Sequence, residues 1–390
     1  MTTHHPAPHH PAAHHAAAHH PRAHHPAVVD AEACSAALDR GETLPWTWYA
    51  DPAITALEQE RIFRRSWSYV GRTDQVAQPG QFFTCEVGGV PIVVTRDRSG
   101  GLNALVNVCR HRGAQVVRED CGTRKSLQCF YHAWTYGLDG SLRGVPRGDR
   151  EADFDTSQLG LRRASVDTWG PFVFVHLDPE PAPLTEMLGE LPELLAAGGI
   201  DLERMRFHHR VYYTIEANWK IAVENYLECY HCPVAHPGLA DVLDVSPDAY
   251  ELEVRPTFAT HHGVVRDIPR EAGYPVQGPV VEGQYHLVWP SLKVNVNPGQ
   301  PNLSFGPVHP AGPERTTGYL DYFFGDDVDE AWIKAMLAFD DQVGAEDTDL
   351  VESVQRGASS GGVERGRLLL GSEHTISAFQ RFVLGRLRED

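Results

Sequence analysis

The chain has 390 residues, 42% of them hydrophobic, and 52 acidic against 34 basic side chains leave a formal charge of -18. At roughly 150 residues per domain that length accommodates two or three domains, of which we read two, and the acidic excess excludes a phosphate-tracking surface, which needs clustered Lys and Arg. The absence of a membrane-length apolar run and of a signal-peptide pattern predicts a cytoplasmic protein, and seven cysteines, an odd number, predict free or metal-bound thiols rather than a disulfide framework.

In chain order, "MTTHHPAPHHPAAHHAAAHHPRAHHPA" opens the sequence with a His pair every five residues. So little apolar material predicts a disordered tail, drawn to residue 42. A helix is expected over 52–66, inside a helical segment 43–66 that packs on the second half of the chain. From 82 to 177 the runs "FFTCEV", "PIVVTR", "NALVNV", "TYGL" and "FVFVHL" alternate in polarity, with hairpin signals at Gly88-Gly89 and Asp139-Gly140. They predict a small antiparallel β unit over residues 67–178.

Inside that unit stands "LVNVCRHRGAQVVREDCGTRKSLQCFYHAWTY". Cys109-x-His111 and Cys129-x-x-His132 are separated by seventeen residues. Two thiols and two imidazoles can close a tetrahedral zinc site, yet zinc motifs commonly pair Cys with Cys and His with His. Mixed loops suit a [2Fe-2S] centre in which two imidazoles replace two thiolates on one iron.

The second half, 179–390, predicts longer strands in "VYYTIEA", "ELEVRPTFATHH", "QYHLVWP" and "TGYLDYFF", with helical spacing over 329–356 and 372–388. A helix-flanked antiparallel sheet makes the whole chain α+β. Within "ANWKIAVENYLECYHCPVAHPG", Glu228 precedes His231 by three residues and His236 follows by five. Five residues turn an ideal helix by about 140°, so both imidazoles reach one metal only if the helix deforms, for which Pro233 and Pro237 provide the means. Two imidazoles and a carboxylate with open positions form the facial triad of non-haem Fe(II) oxygenases. His208-His209 and His261-His262 read as sheet-face histidines. Cys229 and Cys232 read as buried packing thiols, lacking a thioredoxin-like context.

The stretches "CRHRGA", "CFYHAWTYGLDG" and "VENYLECYHCPVAHPGL" together resemble the oxygenase (alpha) component of the Rieske non-haem iron oxygenases. The last is most similar to the subgroup that oxidises carnitine, glycine betaine, choline and proline betaine. The chain departs from the usual cluster loop in having Phe130 for Pro and Ala133 for Gly. The resemblance implies a Rieske domain followed by a helix-grip-like catalytic domain. It implies His231 and His236 as iron ligands, with Asp347 in "DDQVGAEDTDLVESVQRG" as the third, selected by the Glu352 and Gln355 that follow it over its neighbours Asp341, Glu346 and Asp349. It also implies Glu228 as the bridge from the iron-binding His to a cluster His of a neighbouring subunit, hence a homotrimer. O2 is the implied co-substrate, and NADH or NADPH supplies electrons. The chain has no strand, G-x-G-x-x-G and helix in order, so those electrons require a separate flavin/iron-sulfur reductase.

The expected reaction is therefore hydroxylation or N-dealkylation of a small betaine-like substrate. A quaternary ammonium offers no N–H to a hydrogen bond, which makes aromatic faces its natural partners; Tyr226, Phe258, Tyr285, Trp289 and Phe305 are the candidates. Oxygenation of an aromatic or other apolar molecule is the alternative within the same chemistry. A Rieske electron carrier or iron sensor is the alternative of another class.

Overall fold

The computed structural model describes residues 30–151, 154–266 and 273–388, and most of the predicted tail lies outside them. Residues 31–39, placed in that tail, instead form the helix Ala31–Asp39. Asp30 accepts from the Ala33 amide at its start, and Cys34, Ala37 and Leu38 bury one stripe. A three- to four-residue apolar spacing is enough for a helix that packs against a larger body. The next helix, Pro52–Arg61, ends earlier than expected and is followed by a single tighter turn at Phe63–Arg65.

Ser68–Arg72, Gln81–Val87, Val90–Arg96, Leu102–Val106, Cys121–Thr123, Arg163–Trp169 and Phe172–His176 form a seven-stranded antiparallel sheet. Gly88 and Gly89, at φ 53° and 77°, reverse the chain between its second and third strands, a backbone region that costs any residue with a Cβ. A three-stranded sheet, Leu127–Gln128, Thr135–Tyr136 and Leu142–Gly144, stands beside it with Asp139-Gly140 in its turn.

The second large sheet also has seven strands, in the spatial order Met205–Ile215, Arg315–Gly325, Asn302–Gly312, Leu292–Val296, Glu282–Val288, Phe258–Val264 and Tyr250–Val254. The run 251–262, expected as one strand, is two strands of a hairpin, broken around Pro256, whose missing N–H cannot serve a ladder. Leu292–Val296 and Asn302–Gly312 were not anticipated. Leu292–Val296 and the first seven residues of Asn302–Gly312 are almost uniformly buried, so no polar alternation announces them.

Side chains of the Leu292–Val296 strand divide by parity. Leu292, Val294 and Val296 enter the core shared with the first sheet, where Phe172 stacks on Phe305 at 3.9 Å. Lys293 and Asn295 line a cavity on the other face. The helix Glu330–Ser359 spans that cavity. It starts at Asp329, which accepts from the Ala331 and Trp332 amides, and buries Trp332, Ile333, Met336 and Phe339 at one end and Val351, Gln355 and Ala358 at the other. Its polar middle, from Asp340 to Asp347, belongs to the cavity wall. Among the described residues no helix is long and apolar enough to cross a membrane.

Candidate metal centres and substrate cavity

The helix Trp219–Tyr226, capped by Asn218, stops before the residues of interest. The chain then turns into two short helices, Cys232–Ala235 and Pro237–Val242, with His236 between them in a non-helical conformation (φ -121°, ψ 70°). Deformation at Pro233 and Pro237 was expected, but the break begins earlier, so Glu228 lies in a loop rather than on a helical face. The loop also pairs Cys229 with Cys232 in a disulfide, Cα atoms 4.9 Å apart, which corrects the reading of both as free thiols. The turn after Leu227 brings the two sulfurs within bonding reach, and the other five cysteines are free.

The break lets two imidazoles converge. His231 Nε2 and His236 Nε2 are 3.1 Å apart, and Asp347 Oδ1 lies 3.0 Å from the second and 3.6 Å from the first. Ligand atoms about 2.1 Å from one cation and at right angles would stand about 3.0 Å apart. The outer nitrogens are both engaged: His231 Nδ1 with Glu228 Oε1, and His236 Nδ1 with Glu346 Oε2 at 2.8 Å. With each Nδ1–H donating to a carboxylate, each Nε2 keeps its lone pair for the centre. Two lone pairs and a carboxylate aimed at one point fit a divalent cation.

Burial lowers the proton affinity of His231, but hydrogen bonds with Asp347 and Glu228 outweigh it and raise its pKa to about 9, so a cation at this point competes with a proton for Nε2. Burial opposes the charge of Asp347, yet His231, His236 and the 2.6 Å bond from Asn225 hold its carboxyl well below the usual range. Asp341, Glu346 and Asp349 were its alternatives in the sequence. Glu346 in fact grips the back of His236, as neighbours about 100° apart on one helix cannot both face the same point. The roles of Glu346 and Asn225 were not foreseen. Glu352 and Gln355 are structural, accepting from the Glu216 and Asn218 amides at 3.1 and 2.7 Å.

A cavity of about 350 Å³ opens beside the three side chains. Of the five aromatic candidates, Tyr226 and Tyr285 line it. Phe258, Trp289 and Phe305 do not, which corrects their assignment. Phe258 and Phe305 project from the opposite face of the sheet into the core against the first sheet, and Trp289 stacks on Phe379 and Phe382 under the C-terminal helix. The cavity gains Tyr213, Tyr250, Tyr322 and Phe339 instead. The tyrosine hydroxyls are committed to neighbours: Tyr226 to Asn295 at 2.5 Å, Tyr285 to Asn297 at 3.1 Å, Tyr322 to Asp340 at 2.5 Å, Tyr250 to His261 at 2.7 Å and Tyr213 to the Pro307 carbonyl at 3.0 Å. What remains for a bound molecule is the rings.

The two cluster loops are built alike. Cys109 receives the Gly113 amide and Cys129 the Ala133 amide on their carbonyls, both at 3.0 Å, while their own amides donate to Ala114 and Trp134. Gly113 and Ala133 are both left-handed, at φ 75° and 57°. Cys109 and Cys129 are buried, and Tyr136 Oη stands 3.3 Å from Cys109 Sγ. His111 and His132 are exposed, with ring centroids 4.5 Å apart, and His111 stacks on Trp134. Thiols within and imidazoles at the surface fit the mixed-ligand cluster.

Residues 66–160 match the Rieske [2Fe-2S] domain family and residues 202–389 the catalytic domain of ring-hydroxylating alpha subunits. The chain is 34% identical over 346 residues to a chloroplastic choline monooxygenase of Arabidopsis thaliana, covering 85% of this chain and 80% of that protein. It is 32% identical over 351 residues to a carnitine monooxygenase oxygenase subunit of Acinetobacter pittii, covering 87% and 94%. The fold superposes with TM-score 0.77 and 30% identity on a quaternary ammonium Rieske monooxygenase in complex with its substrate γ-butyrobetaine, covering 92% of this chain and 99% of that one.

Proposed function

The chain belongs to the Rieske non-haem iron oxygenases, and we propose that it is a monooxygenase of a small quaternary ammonium compound. The observation that carries the substrate class is the tyrosine-lined cavity beside His231, His236 and Asp347, whose hydroxyls are satisfied and whose rings form its wall. Each aromatic face contributes about 0.5 to 2 kcal/mol to a desolvated cation. The similarity to choline and carnitine monooxygenases supports the same reading.

In this proposal Cys109, Cys129, His111 and His132 hold the [2Fe-2S] cluster, and His231, His236 and Asp347 hold the iron. Loaded in this way, the two centres supply reductive activation of O2 and hydroxylation of a C–H bond. Glu228 holds the Nδ1–H of His231, fixing which nitrogen faces the metal. It would also bridge to a cluster histidine of a neighbouring subunit in a homotrimer. Exposed Phe130 and Tyr131 on one cluster loop, and Tyr230 and Val234 beside Glu228, support burial of both regions by such a neighbour. Electrons would reach the cluster from NADH or NADPH through a separate flavin/iron-sulfur reductase. Hydroxylation at a carbon bonded to the ammonium nitrogen ends in C–N cleavage and release of an aldehyde.

The test is anaerobic reduction with a surrogate reductase, followed by O2 and a panel of betaines, choline and aromatic acids, scored for product and aldehyde. Aldehyde formed from a methylammonium substrate is the expected result. Turnover confined to aromatic acids would transfer the protein to the ring-hydroxylating reading.

A further inference from the structure

We propose that Lys293 is an anion-binding subsite of the cavity, so that the substrate is a quaternary ammonium that also carries a carboxylate. This rests on the quaternary-ammonium reading and narrows it, because a betaine-type zwitterion satisfies it and a carboxylate-free cation such as choline does not.

Lys293 is the one Lys or Arg among the described residues lining the cavity. It stands on a central strand, paired with Leu287 on one side and with Gly306 on the other, so one flank carries no side chain. Its ammonium lies 4.8 Å from the centroid of the Tyr226 ring, and among the described residues no carboxylate comes within 4.0 Å of it. The acids nearby are engaged elsewhere. Asp340 accepts from Tyr322 at 2.5 Å, and Asp347 from Asn225 at 2.6 Å and His236 at 3.0 Å.

The contrast with Lys220 is direct. Lys220 is fully buried, and its ammonium is satisfied by Glu58 Oε1 at 2.6 Å and the Trp48 carbonyl at 3.1 Å. Lys293 has three donors and no such acceptor. Burial lowers its pKa against the opposing pull of the Asp347 and Asp340 charges. A carboxylate on the substrate supplies the acceptor that the Lys293 ammonium lacks, while the aromatic rings take the quaternary ammonium. Tyr226 carries the link to the metal centre. Its hydroxyl bonds Asn295 on the Lys293 strand, and its neighbour Asn225 bonds Asp347.

The experiment is calorimetric titration of the reconstituted protein, with O2 excluded, using γ-butyrobetaine, glycine betaine, their methyl esters and choline. The wild type should bind at least one carboxylate on the order of 10- to 100-fold more tightly than its ester. Lys293→Met, which keeps the stem over Tyr226, should bring the carboxylate to the ester's affinity without weakening the ester, and Lys293→Arg should restore part of the preference. Cluster absorbance and bound iron equal to wild type establish that the variants are folded. Equal affinity of the wild type for acid, ester and choline, or equal losses for acid and ester in Lys293→Met, overturns the subsite and leaves the quaternary-ammonium reading standing. Failure of every quaternary ammonium to bind the wild type overturns both.

Discussion

Glu228 and Asp347 are both carboxylates within reach of His231, yet they meet different nitrogens, and their substitutions should separate. Asp347→Ala removes an atom of the triad and should lose bound iron. Glu228→Gln should retain the iron while turnover falls at least 10- to 100-fold, the usual cost of removing a partner behind a metal-binding imidazole. Iron content by colorimetric assay, read beside turnover, checks both. Ala133 offers a prediction of the opposite sign. It occupies the left-handed position that Gly113 fills in the other loop, and a Cβ there costs about 1 to 2 kcal/mol. Because glycine gives back roughly 0.4 to 1 kcal/mol in unfolded-state entropy, Ala133→Gly should stabilise the loop by up to about 1 kcal/mol. The thermal loss of cluster absorbance should move upward.

At the scale of elements, a buried polar network ties the helix Pro52–Arg61 to the helix Trp219–Tyr226 that leads into the metal site. Glu58 and Lys220 have fully buried side chains 2.6 Å apart, and Trp219 Nε1 donates to the other Glu58 oxygen at 2.7 Å. Glu58→Ala leaves Lys220 buried without its anion and should cost about 3 to 5 kcal/mol. Restoring an apolar pair with Glu58→Leu and Lys220→Met together should recover much of that in urea denaturation. One turn further on, Glu224 accepts from Tyr49 at 2.6 Å and Gln380 at 2.9 Å. Burial raises its pKa to about 7 despite those bonds. Between pH 4.5, its ordinary value, and about 7 the folded state holds a proton that the unfolded state has released, so stability falls as pH rises across that window. Glu224→Gln should flatten this dependence, and denaturation midpoints at pH 5, 6, 7 and 8 give the comparison. A parallel pH profile in the variant would remove Glu224 as the source.

For the whole molecule, one acid pins the two sheets together. Asp321 is fully buried on the second large sheet. It takes both guanidinium bonds of Arg210, at 2.6 and 2.7 Å, and a 2.5 Å bond from Tyr69 on the first sheet. Asp321→Asn keeps the shape and leaves Arg210 without its anion, so it should cost about 3 kcal/mol. The loss falls at the junction of the sheets and should separate their unfolding. Scanning calorimetry is expected to resolve two transitions in the variant where the parent has one.

The metal chemistry was legible in the sequence because it depends on short spacings. Cys109-x-His111, Cys129-x-x-His132 and the pair His231 and His236 are each carried within a few residues, and the alternating strands of the first sheet declare themselves by period two. The Leu292–Val296 strand was hidden because both of its faces are covered, and with it went Lys293. Phe258, Trp289 and Phe305 carry the same apolar signal as Tyr226 and Tyr285, since periodicity reports that a side chain is buried and is silent on which of two interiors receives it. Asp347 and Glu346 are adjacent in sequence, and only the rotation of their helix over the cavity sends one to the centre and the other behind His236. Local spacing thus announced the types of metal-binding side chain, and the family resemblance carried by those motifs implied the reaction class. The lining and polarity of the cavity were decided by tertiary structure, because they depend on which faces of distant strands and one long helix come to enclose the same 350 Å³.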